Sequence, residues 1–326
     1  MSVRKKQPLI IKFSGGLTAQ LLALMSAIYL SGKLDRPFKM RYFPYSTGTY
    51  WPLGIASILE VSELERISET RGVNNKGDLN PGDYIADFPL RRTGISYERF
   101  LQIIHRLHLD VALRWLRGEY VIGARISRLR KVPKRARSVS GNFPPILDSG
   151  VTRELSRRVN RANLPNPFEV QIAKKSVVIH YRLGDMRKMP ARTSDYGGHG
   201  VVDPFVFREV VDSKNIELYG TRIKVVSDEP RIATKLLQEV GFVNVEDVSS
   251  GNVWQDLQTI ASAEIFIGSS SQFSAFGAIL CAKNGGQVIL PASNYGVGDS
   301  KRDMGVEEFS YFEYRYLKAS HWIFEV

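Results

Sequence analysis

Three short polar segments hold the residues best placed to do chemistry: His180-Tyr181-Arg182-Leu183-Gly184-Asp185, Ser227-Asp228-Glu229 and Gly268-Ser269-Ser270-Ser271. Together they offer a permanently charged guanidinium, a carboxylate able to accept hydrogen bonds from a ribose or base, and a run of hydroxyls and backbone N–H groups. That set suits a nucleoside diphosphate, because arginine pairs two-pronged with phosphate oxygens and a helix start favours negative charge. Each segment also has a plainer reading. A Ser-Ser-Ser run before a helix is a common N-cap, Ser227-Asp228 can cap the helix that follows, and His180 can be a core histidine with its hydrogen bonds satisfied. The case for a ligand rests on their joint occurrence at the ends of strands.

Each segment closes a short apolar strand. The pattern predicts strands over Ser176–Tyr181, Ile223–Val226, Val243–Val245, Ile265–Ile267 and Gln287–Leu290, separated by helices over Pro204–Val211, Pro230–Val240, Val253–Ala263 and Gln272–Ala282. Regular alternation of this kind implies a doubly wound parallel sheet, in which ligands bind beyond the carboxyl ends of the strands. The first half reads as a less regular α/β unit. A strand over Leu9–Phe13 meets Gly15-Gly16 and a helix carrying Leu17, Leu21, Leu24, Met25 and Ile28; a second strand is expected over Phe38–Phe43 and a long helix over Tyr97–Trp115. Residues from Arg125 to Pro167 are rich in Arg, Pro, Asn and Ser, which places a domain junction near 168 and gives domains of 1–167 and 168–326.

Composition narrows the function classes. A sequence of 326 residues with 43% apolar and 24% charged residues is an ordinary globular protein of two medium domains or one large one. One cysteine, Cys281, precludes an internal disulfide and a cysteine zinc framework, and points to a reducing compartment. The apolar stretch Leu17 to Leu30 is too short to cross a bilayer and reads as a buried helix, and the basic start lacks the apolar core of a secretory signal. The expected location is the cytoplasm. No G-x-x-x-x-G-K-[ST] occurs, and no Asp-x-Asp is present to hold a divalent cation on a diphosphate, so donors of the protein itself must neutralise such a group. The net charge of +12 favours anionic partners: nucleic acid, phosphorylated small molecules or an acidic membrane. Its densest stretch runs from Arg125 through Arg128, Arg130, Lys131, Lys134 and Arg135 to Arg137, without interleaved aromatics and with no helix-turn-helix or RNP signature nearby.

With these residues in view, the sequence resembles the α-1,2-fucosyltransferases of glycosyltransferase family 11, within the wider α-1,2/α-1,6/protein-O-fucosyltransferase group. Gly15-Gly16-Leu17-Thr18-Ala19-Gln20-Leu21 is similar to that family's G-G-L-G-N-Q-hydrophobic turn, and His180 to Asp185 fits its H-x-R-x-G-D motif. Ser227-Asp228 matches its S-D element, Gly141-Asn142-Phe143 its mid-sequence G-Y-W/F segment, and Asp256-Leu257 its D-L element. The stretch from Ile267-Gly268-Ser269 through Phe273-Ser274-Ala275-Phe276-Gly277-Ala278 resembles N-S-x-F-S-W-W-G-A, with Gly268 in place of Asn and Ala275-Phe276 in place of the Trp pair; Thr18-Ala19 likewise replace Gly-Asn.

The resemblance implies a GT-B architecture, two Rossmann-like domains facing a cleft, with the first on the acceptor side and the second binding the nucleotide sugar. It implies transfer of L-fucose from GDP-fucose to a glycan hydroxyl in an α-1,2 linkage with inversion, as in polysaccharide or lipopolysaccharide O-antigen synthesis, with no cofactor and no metal. By the same resemblance Arg182 would hold the β-phosphate, His180 and Gly184 would shape its loop, Asp228 and Ser227 would meet the nucleoside, and Ser270, Ser271 and Gln272 would close over the diphosphate. Gly15, Gly16 and Gln20 would lie across the cleft, and Asp185 or His199 would be the general base. Three rivals remain: the same scaffold with another nucleotide sugar, a non-catalytic sugar-binding module, and a nucleic-acid-binding protein. The acceptor is expected to be a glycan, lipid-linked in one version, with the basic run then touching an anionic membrane.

Overall fold

The first unit begins with a strand, a glycine turn and a helix. In a computed structural model, which describes residues 6–43, 45–46, 49–50, 52–65, 118–122, 126–184, 186, 201–218, 220–292 and 306–315, β1 (Leu9–Phe13) buries alternate residues, as a strand with one face on a core must. Gly15 turns the backbone at φ +95°, a conformation that residues with a Cβ rarely adopt, and Gly16 opens α1 (Leu17–Leu34). Most of α1 is buried, including Leu21, Leu22, Leu24 and Met25, which accounts for its apolar character. It is followed by β2 (Phe38–Tyr42), a short antiparallel pair β3 (Tyr45–Ser46) and β4 (Thr49–Tyr50), β5 (Glu119–Ile122) and β6 (Ser138–Gly141); α2 (Ile126–Arg130), between β5 and β6 in sequence, groups with the second unit in all but its last residue. The sheet runs β2-β1-β6-β5 and is parallel throughout.

The second unit holds α3 (Ser149–Arg161), β7 (Ala173–Tyr181), α4 (Pro204–Ser213), β8 (Arg222–Ser227), α5 (Pro230–Glu239), β9 (Val245–Asp247), α6 (Val253–Ala261), β10 (Ala263–Ile267), α7 (Gln272–Lys283), β11 (Gln287–Pro291) and β12 (Phe309–Phe312). Its six strands are parallel in the order β12-β11-β10-β7-β8-β9. Counted from β7, that is the 3-2-1-4-5-6 order of a Rossmann sheet, whose order reverses between its first and fourth strands, here β7 and β10. Central strand β7 is buried on both faces, the usual state of a parallel sheet covered by helices. Val177, Ile179 and Tyr181 pack in the core formed with α4 and α5, and Val178 and His180 alternate to the opposite face.

The α/β class and the parallel second sheet agree with the sequence reading, and boundaries differ by three residues or fewer in the second unit. The division between units falls elsewhere. Residues 1–122 and 130–142 cluster as one unit and residues 123–129 and 143–326 as the other, so residues 143–167 pack with the second unit. The reason is α3, which an Arg- and Asn-rich composition hides. Asp148 caps it by accepting from the N–H groups of Gly150 and Val151, both at 2.9 Å, and Val151, Leu155 and Val159 form a buried stripe at four-residue spacing. The helix expected over Tyr97–Trp115 lies outside the described residues.

Candidate functional site

The switch point between β7 and β10 brings two of the three polar segments side by side, and β8 supplies the third. Strand β7 ends at Tyr181, so Arg182 emerges at the carboxyl edge; β10 ends at Ile267, so Gly268 to Ser271 emerge beside it. The two turns are bonded directly: Arg182 N–H donates to Ser269 Oγ at 3.2 Å. Ser227 Oγ at the end of β8 donates to the Tyr181 carbonyl at 2.7 Å and accepts from Glu229 N–H at 3.1 Å. It therefore ties two strand ends together.

Asp228 fixes the arginine. Its Oδ2 lies 3.1 Å from Arg182 Nη1 and its Oδ1 accepts from Leu183 N–H at 2.9 Å. Gly184 makes room for this carboxylate, because a Cβ there would stand 2.5 Å from Asp228 Oδ2. Both charged residues remain between a quarter and a third exposed, so the guanidinium is oriented without being sealed off. Arg182 thus holds an oriented positive charge, paired with Asp228, at the carboxyl edge of the sheet, where folds of this kind bind their ligands.

Below this surface lies a buried hydroxyl and imidazole network. Ser274 Oγ sits 2.6 Å from His180 Nδ1 and accepts from Ser269 N–H at 2.9 Å, and Ser269 Oγ lies 3.3 Å from the same ring nitrogen. Ser271 caps α7 by accepting from Ser274 N–H at 3.0 Å, and its hydroxyl faces Ser274 Oγ at 3.3 Å. With both lone pairs of Ser274 Oγ occupied, its proton goes to Nδ1, which places the imidazole proton on Nε2. Burial, reinforced by the Arg182 charge and opposed by Asp228, lowers the His180 pKa to about 3, so the ring is neutral at pH 7. Phe273 packs on it with ring centroids 4.7 Å apart. The N–H groups of Gln272 and Phe273, in the first turn of α7, keep no hydrogen-bond partner among the described residues and are the orphan donors that a helix start offers to an anion.

Several expectations gain a different physical content. Gln20 is fully buried and its amide is saturated. Nε2 donates to the carbonyls of Gly15 and Pro52, both at 2.8 Å, and Oε1 accepts from the N–H groups of Gly54 at 2.8 Å and Ile55 at 3.3 Å. It locks the glycine turn and has no atom left for a ligand, contrary to the donor contact expected of it. Ser271 spends its hydroxyl on capping, Ser227 on joining strands and Asp228 on Arg182, so these three build the site rather than line it. Ser270 is buried and Gln272 partly exposed at the helix start. Gly16 opens α1 without a side-chain cap. Asp185 and His199, the two residues expected to act as general base, lie outside the described residues. Sequence reasoning missed Ser274, whose signal was its place three residues after the capping Ser271, and Tyr314, whose hydroxyl donates to the Gly268 carbonyl at 2.8 Å. Among the described residues no three of His, Cys, Asp or Glu lie close enough together to hold a metal ion.

Fold and site together define a doubly wound α/β protein with a cationic, helix-start crevice at its switch point. No family model matches the sequence, and no curated protein matches it. Among solved structures it is similar to the E. coli heptosyltransferase WaaC with ADP, at 14% identity and a TM-score of 0.32 over 87% of either protein. It is similar also to the fucosyltransferase NodZ from Bradyrhizobium, at 11% identity and 0.38 over 84% of this protein and 94% of that one. A third is POFUT1 in complex with GDP, at 13% identity and 0.34 over 86% and 96%.

Proposed function

We propose that this protein is a GT-B glycosyltransferase of the fucosyltransferase type, taking L-fucose from GDP-fucose to a hydroxyl of a growing glycan with inversion. The observation that carries the reading is Arg182, clamped by Asp228 at the β7–β10 switch point with the open N–H groups of Gln272 and Phe273 on the neighbouring turn. A sugar diphosphate departs as an anion, and this arrangement supplies a guanidinium and a helix start that favour the charge as it develops. His180, neutral and buried, holds the 269–274 turn through Ser274. The motif resemblance supports GDP-fucose as the donor, and the reading calls on no metal. The single Cys281, which precludes an internal disulfide, supports a reducing compartment, and this reading makes the enzyme cytoplasmic.

Two measurements test this. A thermal-shift panel of GDP, UDP, CMP and duplex DNA should respond to GDP, since a ligand that binds only the native state raises its stability; a response to duplex DNA alone would replace the reading with a nucleic-acid one. Arg182→Lys should lose most transfer from GDP-fucose while the protein melts as before, because an ammonium cannot reproduce the two-pronged contact. Activity near the parent level would remove Arg182 from the site.

A further inference from the structure

The basic run that stands out in the sequence belongs to a larger surface. In the first unit, the residues just before three parallel strands meet at one edge of the sheet: Leu9 N–H donates to the Pro37 carbonyl at 2.8 Å and Ile10 N–H to the Arg137 carbonyl at 3.0 Å. This is the amino edge, opposite the one that carries the Gly15 turn. Residues 6–8 and 31–37 bring Lys6, Lys33 and Arg36 to it, and residues 130–137 bring Arg130, Lys131, Lys134, Arg135 and Arg137. Against these eight cations the three segments contain one carboxylate, Asp35. A surplus of seven, out of +12 for the whole protein, therefore sits in eighteen residues.

Backbone carbonyls hold much of this charge in place. Arg36 donates to the carbonyls of Gln7 at 2.9 Å, Lys134 at 2.9 Å and Ala136 at 2.7 Å, and Lys33 donates to the Arg130 carbonyl. Lys6 pairs with Asp35. The five cations of 130–137 are all exposed. Strands β2, β1 and β6 are neighbours, so their starts span about 10 Å at roughly 4.8 Å per strand, within one Debye length of about 10 Å at 0.1 M salt. The cations thus act as a single field. The three segments hold no Phe, Tyr or Trp on which a base could stack, and the stretch 131–137 is not helical.

We propose that this edge docks the protein on an anionic membrane surface, with the Gly15 turn at the far end of the sheet and turned away from the lipid. Charge of one sign, spread over one sheet edge and free of aromatics, fits a plane of anionic headgroups better than a groove-reading contact. The inference is independent of the transferase reading. The test is sedimentation of the whole protein with vesicles of phosphatidylcholine alone or mixed with phosphatidylglycerol. Binding is expected only with the anionic lipid and is lost in 0.5 M salt, where the Debye length is roughly halved. Lys131→Glu, Lys134→Glu, Arg135→Glu and Arg137→Glu combined should weaken partitioning by roughly a hundredfold or more, each cation near such a surface being worth several-fold. A control reversing Arg153, Lys174, Lys214 and Lys235, exposed cations of the second unit, should stay within a few-fold of the parent. Equal losses in both variants, or indifference to lipid charge, overturn the proposal. So does binding to duplex DNA but not vesicles that the edge variant abolishes. A circular-dichroism melt shows that each variant is folded.

Discussion

Gly184→Ala isolates the part of the site that orients Arg182. The added methyl would stand 2.5 Å from Asp228 Oδ2 and 3.1 Å from its Cγ, so the carboxylate must swing away and release both Arg182 and the Leu183 N–H. Hydrogen bonds to charged groups contribute about 1.5–3 kcal/mol each. Here the two charged residues are between a quarter and a third exposed, which lowers the ion-pair share and leaves about 2–3 kcal/mol for the two together. No left-handed conformation is required of residue 184, so alanine brings no backbone strain and trims unfolded-state entropy by about 0.4–1 kcal/mol in the stabilising direction. The net expectation is a loss of about 2 kcal/mol in urea unfolding and GDP affinity weakened about tenfold, as the guanidinium loses its preset direction. The decisive arm is the double-mutant cycle. With Asp228→Ala the carboxylate is gone, and alanine at 184 should then cost nothing measurable. Effects that add within about 0.5 kcal/mol would mean that the two residues do not act on each other and that the clamp is misread.

Three further outcomes follow from the same geometry. Because the His180 pKa is about 3 when folded against about 6.5 when unfolded, the unfolded state binds the extra proton between those values, and stability should fall as pH drops from about 6.5 toward 3; His180→Gln should flatten that part of the urea-midpoint profile, and an unchanged slope would contradict burial as its cause. Gln20→Leu strands four backbone groups and should lower stability by roughly 2–5 kcal/mol; an unaltered urea midpoint with a raised KM for GDP-fucose would return Gln20 to the donor. EDTA should leave the transfer rate unchanged, and restoration by Mg²⁺ or Mn²⁺ of activity lost to EDTA would refute the expectation that donors of the protein alone meet the diphosphate.

The strand ends were legible because a parallel sheet writes its central strands as apolar runs that stop abruptly at the polar edge, as Val177 to Ile179 do before His180 and Arg182. What a run cannot record is the partner of each polar atom. Ser227, Asp228 and Ser271 each had a capping reading and a ligand reading from sequence, and only the register of β7 against β8 and β10 decides that they brace the turn. Helix α3 escaped because the residues on its exposed face dominate the composition, although the Asp148 cap and the Val151, Leu155, Val159 spacing were there to be read. The fate of Gln20 was illegible for another reason: its four partners include Pro52, Gly54 and Ile55, more than thirty residues away, and no local pattern announces them.

Position 268 shows how the identity of a residue becomes intelligible once its neighbours are known. The motif has nine positions against eleven residues from Gly268 to Ala278, so counted back from Phe273 its asparagine falls on Ser270, and Gly268 answers to packing alone: a Cβ there would lie 2.5 Å from Leu290 Cδ2 and 2.9 Å from Ser274 Cβ. Leu290 is fully buried on β11 and Ser274 is bonded to His180, so neither can retreat cheaply. Gly268, Ser274 and Leu290 therefore form one packing unit, and a larger residue at 268 demands a smaller one at 290 or the loss of the Ser274–His180 bond. At the strand end it is the Gly268 backbone that comes forward, its N–H bonded to the Ile289 carbonyl and its own carbonyl accepting from Tyr314. Ser269 then becomes the first residue of the turn with a side group to offer, and it is Ser269 that reaches the Arg182 N–H. Glycine at 268 thus leaves the first side-chain contact of the turn to Ser269, which makes the link between the two strand ends on which the arginine depends.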